Sequence, residues 1–397
     1  MTTTQCCIAG GGPAGMMLGL LLARAGIRVV VLEKHRDFLR DFRGDTIHPS
    51  TLEVLHELGI LEPFLALPHQ KVAELRAQFG NEQLLIAEFR GVRARCPFIA
   101  MIPQWDFLDF LARHAKRWPG FELRMECEVE DLLIDAGKVV GVKTSQGDVL
   151  ADLVVGADGR HSLVREKAGL EVIDFGAPID ALWFRLPRQA GDGEGVMGRF
   201  DRGSILVMLN RGDYWQCAFV IAKGTLEVLK RRGIDSFRGT LAGLFPFATD
   251  RMRAIASWDD VKLLVVQVNR LRRWYRDGLV CIGDAAHAMS PVGGVGINLA
   301  IQDAVAAANV LFKGDFSEDS LKKIQNRREF PTRVTQRFQL LVQDNILSRA
   351  LKNADEPLTP PLAARLLSRA PWLRRLPARM VGIGVRPEHV ESPAVAA

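Results

Sequence analysis

The stretch QCCIAGGGPAGMMLGLLLARAGIRVVVLE, residues 5–33, decides the fold. The short apolar run at residues 6–9 predicts a strand, the glycines after it predict a turn, and the apolar stretch that follows predicts a helix. Gly26 ends this helix, and the β-branched run at residues 27–32 predicts a second strand. Strand, turn, helix and strand in this order are typical of an α/β fold with a parallel sheet.

The glycines of the turn have the spacing of a nucleotide-binding site. Gly10 makes the tight turn, Gly12 lets a pyrophosphate approach the backbone, and Gly15 lets the helix pack against the strand. The free N–H groups at the start of the helix face the phosphates, and Pro13 suits this position because it has no N–H. A glycine turn with a purely structural role is the alternative, but the flanking strands and helix favour a dinucleotide site.

Glu33, at the end of the second strand, indicates which dinucleotide binds. A carboxylate at about this distance after the third glycine binds a ribose 2′-hydroxyl. It disfavours a 2′-phosphate, so FAD or NAD is expected rather than NADP. We find no second fingerprint of this kind downstream, which indicates that one dinucleotide is bound firmly.

Two later strands also end at an aspartate. The apolar run at residues 153–157 leads into Asp158, and the run at residues 279–282 leads into Gly283 and Asp284. A glycine-rich stretch at residues 291–298 and a helical run follow the second of these. Ligands bind at the carboxyl ends of strands in α/β sheets, so both aspartates lie where a dinucleotide is expected.

These three motifs together resemble the single-component flavoprotein monooxygenases, the FAD-dependent aromatic hydroxylases typified by para-hydroxybenzoate hydroxylase. The resemblance extends from the first residue to the neighbourhood of residue 350. It implies FAD as the bound cofactor, NADH or NADPH as a transient reductant and O2 as co-substrate. It also implies a flavin C4a-hydroperoxide that hydroxylates a small aromatic, heteroaromatic or quinol-like substrate, so the hard chemistry belongs to the cofactor.

The motifs and the resemblance together predict the residues that contact FAD. In the family, the aspartate matching Asp284 holds the ribityl chain, and the loop matching Arg43 lies beside the flavin. The stretch at residues 291–298 departs from the family by having Val295 in place of a glutamine, which leaves the backbone N–H groups available. The predicted FAD residues are Gly10, Gly12, Pro13, Ala14, Gly15, Glu33, Lys34, Arg43, Gln104, Asp158, Gly283, Asp284, Pro291, Gly294, Gly296, Ile297 and Asn298.

The predicted fold class is α/β, with a Rossmann-like FAD-binding domain, an inserted antiparallel-sheet substrate domain and a helical C-terminal segment. Three apolar runs separated by glycine-rich turns, at residues 181–186, 203–209 and 214–221, predict strands of the inserted sheet. The predicted FAD-binding parts are residues 1–70, 101–175 and 273–318; the predicted substrate-domain parts are residues 71–100 and 176–272; the helical cap is residues 319–397.

Two residues are candidates for catalysis. His48 lies on the predicted flavin-side loop and titrates near neutral pH, but it is also consistent with a structural position before the helix that follows. Tyr214 is the remaining tyrosine candidate, because Tyr275 belongs to the turn before the Gly-Asp motif. His287, within the same motif, is expected to support the turn rather than to act as a base.

The substrate candidates lie on the predicted antiparallel sheet. Arg185 is a candidate partner for a substrate carboxylate or carbonyl, unless Phe184 and Leu186 form the core face, in which case Arg185 is solvated. The apolar candidates for the pocket wall, each equally consistent with ordinary core, are Met208, Trp215 and Phe219.

The C-terminal segment has a different pattern. Residues 321–353 predict an amphipathic helix interrupted at Pro331, and residues 358–397 are basic and apolar. Such a segment is consistent with an anionic membrane surface. A cap that packs over the two domains is favoured, because Pro371 and Pro377 break any long helix.

Composition excludes several classes. The chain has 397 residues and a net charge of +6, with its basic residues scattered, so no nucleic-acid partner is expected. Neither a leader segment nor an apolar run of membrane-spanning length is recognised, which predicts a cytoplasmic enzyme. The expected oligomeric state is a monomer or a homodimer. The cysteine spacing predicts neither metal nor disulfide.

The tryptophan pair of flavin-dependent halogenases is missing. A peripheral membrane reductase or hydroxylase of isoprenoid or quinone lipids, and a flavin-binding protein without turnover, stay open as alternatives.

Overall fold

The computed structural model of the protein describes residues 2–39, 45–193, 197–201, 203–347, 351 and 359–395. Its helices are α1 (Pro13–Arg24), α2 (Pro49–Glu57), α3 (Leu61–Leu65), α4 (Gln104–Ala115), α5 (Leu163–Lys167), α6 (Leu226–Arg232), α7 (Ile234–Leu244), α8 (Gly296–Leu311), α9 (Glu318–Val342), α10 (Leu362–Arg369) and α11 (Pro371–Gly382). Its strands are β1 (Thr2–Ala9), β2 (Val29–Leu32), β3 (Thr46–Ile47), β4 (Gln70–Val72), β5 (Glu74–Phe79), β6 (Glu82–Glu88), β7 (Ile99–Met101), β8 (Phe121–Arg124), β9 (Val129–Asp135), β10 (Lys138–Thr144), β11 (Val149–Gly156), β12 (Val172–Asp174), β13 (Ile179–Pro187), β14 (Met197–Asp201), β15 (Ser204–Asn210), β16 (Tyr214–Ala222), β17 (Lys262–Leu264), β18 (Asn269–Leu271), β19 (Tyr275–Arg276) and β20 (Leu279–Cys281).

The first sheet is built on parallel strands in the order β8, β2, β1, β11 and β20. Strand β19 pairs antiparallel with β20 at one edge, and the β9–β10 hairpin joins the start of β11. Because β1, β11 and β20 are parallel neighbours, the turns after them meet at one edge of the sheet. These are the turns in which the sequence predicts the FAD site.

Both faces of this sheet are buried, which explains its nearly continuous apolar strands. Along β1, Cys6 and Ile8 pack in the core that holds α1, α4 and α8, whereas Cys7 and Ala9 pack in the core on the opposite face. Burial raises the pKa of Cys7 to about 12. The thiols of this strand therefore behave as small apolar groups, as the sequence predicts.

The second sheet has the strand order β17, β13, β16, β15, β14, β5 and β6. All its pairs are antiparallel except the parallel pair of β14 and β5. The three strands predicted in the inserted domain are confirmed as β13, β15 and β16. Helix α7 covers one face of this sheet. The exact boundaries of the six predicted chain segments stay a prediction.

Two expectations about helices are wrong. Helix α9 continues through Pro331, and its later turns are held to the core by Gln336 and Gln339, which donate hydrogen bonds to backbone oxygens of Asn269 and Ser290. Helix α11 likewise continues through Pro377. The stretch Val292–Leu311 has the length and apolar composition of a membrane-spanning helix, but 78% of its most apolar window is buried inside the protein, as in a core helix.

Candidate active site

The glycine turn at residues 10–15 joins β1 to α1. Gly10 has a φ of +107°, and a Cβ atom there would lie 2.4 Å from the Ala157 oxygen. A Cβ atom at Gly15 would lie 2.0 Å from the Gly10 oxygen, so neither position accepts a side chain. A Cβ atom at Gly12 would meet no atom within 4 Å. This leaves open space above the turn, beside the first N–H groups of α1, which begins at Pro13.

Glu33 lies beside the glycine turn. One of its carboxylate oxygens accepts a hydrogen bond from the Gly11 N–H at 3.1 Å, and the other accepts one from the His35 N–H at 3.1 Å. The structure thus brings this carboxylate to the turn, where a ribose partner is predicted. It does not bring Lys34 there, since the Lys34 Nζ lies 3.7 Å from Glu128 at the surface.

Asp158 follows β11 and lies next to the same turn, since its neighbour Ala157 contacts Gly10. Its Oδ2 accepts a hydrogen bond from the Val164 N–H at 3.1 Å, whereas its Oδ1 is buried and has no partner in the described part of the chain. Burial raises the pKa of this carboxyl group. A buried acceptor without a donor suits a ligand hydroxyl or a bound water.

Asp284 lies in a 3-10 turn, residues 283–285, that follows β20; we call it the Gly-Asp turn. A Cβ atom at Gly283 would lie 3.1 Å from the Ala14 Cβ, so this turn packs directly against the start of α1. The Asp284 side chain is 30% exposed, and its Oδ2 lies 3.6 Å from Arg160 Nη2. The glycine turn, Asp158 and the Gly-Asp turn therefore surround one edge of the first sheet.

A buried charge network supports the Gly-Asp turn from behind. Asp303 Oδ2 accepts a hydrogen bond from the Gly283 N–H at 3.0 Å and contacts His287 Nε2 at 2.5 Å. Asp303 Oδ1 accepts one from Arg328 Nε at 2.9 Å, and Arg328 also pairs with Glu388 at 3.0 Å. Burial alone would raise the pKa of Asp303, but His287 and Arg328 outweigh it and hold that pKa below its usual value. His287 thus supports the turn, as expected.

The second glycine turn, residues 291–296, leads into α8. Gly293 and Gly294 have positive φ angles of +80° and +62°. The Asn298 side chain accepts hydrogen bonds from the His48 N–H at 2.9 Å and the Thr51 Oγ1 at 2.7 Å. This side chain therefore joins the turn to the start of α2, and its contact with FAD stays a prediction. The side chain of Ile297 is also in the core, while Pro291 and Gly296 lie at the surface of the turn.

His48 is fully buried at the start of α2. Its Nδ1 lies 2.7 Å from the Val381 oxygen, which is an acceptor, so Nδ1 carries the proton and Nε2 is left as a buried acceptor without a partner among the described residues. Burial lowers the pKa of His48 to about 4. A group with this pKa is a weak base at neutral pH, so the structure does not support His48 as the catalytic base.

The C-terminal helix α11 covers the second glycine turn. Val381 packs with Val295 in one small core, and its Cγ2 would lie 3.5 Å from a Cβ atom at Gly293. Val295, the departure from the family pattern, is thus a buried contact of the cap rather than an exposed residue of the turn. The C-terminal segment forms a cap at this point.

The apolar substrate candidates lie in the wrong place for a pocket. Met208, Trp215 and Phe219 share the core under α7, where they pack with Phe237 and Leu241. The three side chains share one face of the sheet because side chains alternate between the two faces along a strand. That face is buried because α7 covers it. Their assignment as pocket walls is therefore not supported, and the core alternative holds.

The opposite face of the second sheet, which we call its inner face, is turned towards the second glycine turn. Ile205 and Val220 of this face pack with Val292 of the turn. Arg185 lies on the inner face opposite Gln216, with its guanidinium 5.0 Å from the Tyr214 ring centroid. Phe184 and Leu186 form the core face, which is the condition under which Arg185 is expected to be solvated. Arg185 is indeed exposed, and its side chain lies on the inner face.

A buried ion pair that no sequence pattern predicts joins the residue before β3, Asp45, to the residue after β15, Arg211. Asp45 Oδ2 lies 2.5 Å from Arg211 Nη2, and Arg211 Nε donates to Gln216 Oε1 at 2.9 Å. Asp45 also accepts a hydrogen bond from the Gln104 N–H at 3.2 Å, so Gln104 is held next to this pair. Burial raises the pKa of Asp45, while Arg211 acts in the opposite direction. The predicted contact Arg43 lies outside the described residues.

Comparison with known proteins identifies the family. Residues 3–337 match the family described as FAD binding domain. The chain belongs to this FAD-binding family. It is 33% identical to 6-methylpretetramide 4-monooxygenase of Streptomyces rimosus over 95% of this chain and 92% of that protein. It is 30% identical to 12-dehydrotetracycline 5-monooxygenase/anhydrotetracycline 6-monooxygenase of the same species over 75% of this chain and 60% of that protein. The fold is that of p-nitrophenol 4-monooxygenase of Pseudomonas putida, with a TM-score of 0.75, 22% identity, and coverage of 95% of this chain and 97% of that one.

The protein is an FAD-dependent monooxygenase, and its residues fit the cofactor. The open position at Gly12 leaves room for phosphates at the start of α1, and the unpartnered Oδ1 of Asp158 offers an acceptor beside it. Glu33 places a carboxylate at the glycine turn, and Asp284 lies on the Gly-Asp turn that packs against the start of α1. When bound, FAD supplies electron transfer and oxygen activation, which no side chain provides.

Proposed function

We propose that this monooxygenase uses NADH or NADPH as a transient reductant and hydroxylates an acidic, phenolic aromatic of the fused-ring kind. The two Streptomyces relatives are named for such compounds, 6-methylpretetramide and dehydrated tetracyclines. The observation that carries the proposal is the inner face of the second sheet, which contacts the second glycine turn through Val292. A flat ring system bound between the inner face and the flavin would contact the sheet on one side and the flavin on the other.

Arg185 is proposed to bind an acidic oxygen of the substrate. It is an exposed cation of the inner face, and its guanidinium makes a cation–π contact with the Tyr214 ring at 5.0 Å. Guanidinium groups bind carboxylates and enolates through charge-assisted hydrogen bonds. The Tyr214 hydroxyl is proposed as a second hydrogen-bonding partner at the same end of the substrate.

The ion pair of Asp45 and Arg211 is proposed to set the distance between the flavin-side loop and the inner face. Both side chains are at most 8% exposed. Removing one partner of a buried ion pair strongly lowers the free energy of unfolding, because the other charge is left buried without a partner. The pair therefore fixes the width of the space in which the ring system lies, and it helps to exclude water from that space.

The test is oxidation of NADH and of NADPH by the FAD-loaded protein, with hydrogen peroxide measured in parallel, across phenols, hydroxypyridines, fused-ring polyketide aromatics and quinols. The proposal expects acidic fused-ring phenols to raise the oxidation rate while peroxide stays low. Stimulation by neutral quinols alone would contradict the proposed substrate class. Oxidation that no aromatic stimulates would contradict the proposed function.

A further inference from the structure

The last two helices carry an exposed apolar surface. Helices α10 and α11 pack on β6 and on each other, with Ala364 and Ala378 on their inner sides. Their outer sides expose large apolar groups at a spacing of four residues, which places each pair on one helix face. These side chains and their exposed fractions are Leu362 at 77%, Leu366 at 59%, Trp372 at 68% and Leu376 at 60%. We call them, with the arginines described next, the outer patch.

The outer patch is strongly basic. Residues 362–382 contain five arginines and no acidic residue. Arg365 and Arg374 pair with glutamates of β6 at 3.4 and 3.5 Å, on the protein side. Arg369, Arg375 and Arg379 are exposed, and no ion pair within the described ranges includes them. The patch thus combines leucine and tryptophan side chains with three uncompensated positive charges.

We propose that the outer patch docks on an anionic lipid bilayer. A tryptophan and leucines enter the boundary between headgroups and acyl chains, while arginines at the same level bind lipid phosphates. This occupant satisfies both halves of the patch at once. A single-stranded or duplex nucleic acid would pair with the arginines but leave the four apolar groups in water.

A second copy of the chain is disfavoured by charge. A two-fold interface brings the same patch of both subunits together, so Arg369, Arg375 and Arg379 would face their own copies. The patch contains no acidic group that would compensate them. A bilayer with negative headgroups has no such penalty, and this charge complementarity selects it as the occupant.

Docking here would bring the rim of the active site to the membrane. The outer patch ends on α11, whose Val381 contacts both His48 and Val295 at the second glycine turn. The side of the protein that holds the flavin would therefore lie near the lipid surface. This inference does not depend on the substrate class proposed above.

The experiment is co-sedimentation of the full FAD-loaded chain with phosphatidylcholine vesicles, with and without phosphatidylglycerol. Binding is expected only with phosphatidylglycerol and should weaken with salt. Arg369→Gln and Arg375→Gln should each weaken it about fivefold, the effect of one basic residue at an anionic surface. Trp372→Glu should abolish it.

The matched control is Phe330→Glu, which changes another exposed apolar residue, 57% exposed, on α9. It should bind vesicles as the unchanged protein does, and FAD absorbance and thermal unfolding check that each variant is folded. Equal binding to both vesicle types, or unchanged binding by Trp372→Glu, would overturn the proposal. So would a dimer, seen by light scattering, that Trp372→Glu dissociates in a protein that binds no vesicles.

Discussion

Asp303 accepts a hydrogen bond from the backbone N–H of Gly283 at 3.0 Å, so the turn that carries Asp284 rests on a buried carboxylate. The same carboxylate is paired with Arg328, which is 1% exposed, and through it with Glu388 near the C-terminus. One network therefore connects the predicted ribityl site to two parts of the C-terminal cap, α9 through Arg328 and the stretch after α11 through Glu388.

Replacing Asp303 by Asn should destabilise the fold by about 3 kcal/mol, because it removes one partner of a buried ion pair. The measurement is urea unfolding of the FAD-loaded protein. The control is Asp235→Asn, whose side chain is 89% exposed in its pair with Arg238 and should contribute little. If the buried network does not stabilise the fold, both variants will show the same small decrease in the free energy of unfolding.

Gly15 and Gly12 should respond differently to replacement by Ala. At Gly15 the added Cβ would lie 2.0 Å from the Gly10 oxygen, so the variant should fold poorly with or without FAD. At Gly12 the added Cβ meets only open space, so the FAD-free protein should keep its melting temperature while FAD binds about tenfold more weakly or worse. The melting temperature and the FAD dissociation constant are measured for both. Unchanged FAD affinity in Gly12→Ala would mean that the phosphates bind elsewhere.

His48 should make stability depend on pH. Its pKa is about 4 in the folded protein, compared with 6.5 for an unperturbed histidine. Since the unfolded chain takes up the proton more readily, protonation of His48 lowers the free energy of unfolding. The free energy of unfolding keeps its full value above pH 6.5 and falls by up to about 3 kcal/mol as the pH falls towards 4. The check is urea unfolding of the protein and of His48→Gln at several pH values. All titratable groups other than His48 are common to the protein and the His48→Gln variant. Parallel curves of unfolding free energy against pH would therefore contradict the expected role of His48.

Arg185→Met should raise the KM for the aromatic substrate about 10- to 100-fold, the effect of losing one charge-assisted hydrogen bond. FAD retention should not change. Steady-state kinetics with the stimulating substrate provide the measurement. Met208→Leu, a change in the core under α7, serves as the control and should leave KM unchanged. If both variants behave alike, the inner face does not bind the substrate.

The parts of the site that depend on local backbone geometry could be predicted from the sequence. The turn from Gly10 to Gly15 requires glycine for reasons that operate within a few residues, and the aspartates at 158 and 284 follow from strands that end there. The strands β13, β15 and β16 were predictable for the same reason, since apolar runs and glycine turns mark them.

What depends on distant contacts was not predictable. Asp45 and Arg211 are 166 residues apart, and nothing local to either indicates that they pair. Asp303 gave a weak signal, as the single acid within the apolar helix α8, but its partner Arg328 did not. The choice of sheet face for Trp215 was open because both faces of β16 are mostly apolar, and only the position of α7 decides between them.

The proposed reaction transfers one atom of molecular oxygen to an aromatic ring and consumes NADH or NADPH. The most direct test is turnover of a stimulating aromatic under 18O2, with the product analysed by mass spectrometry. The expected product carries one 18O atom, in an amount that matches the nicotinamide oxidised. A product whose new oxygen comes from water, or an aromatic recovered without added oxygen, would contradict it.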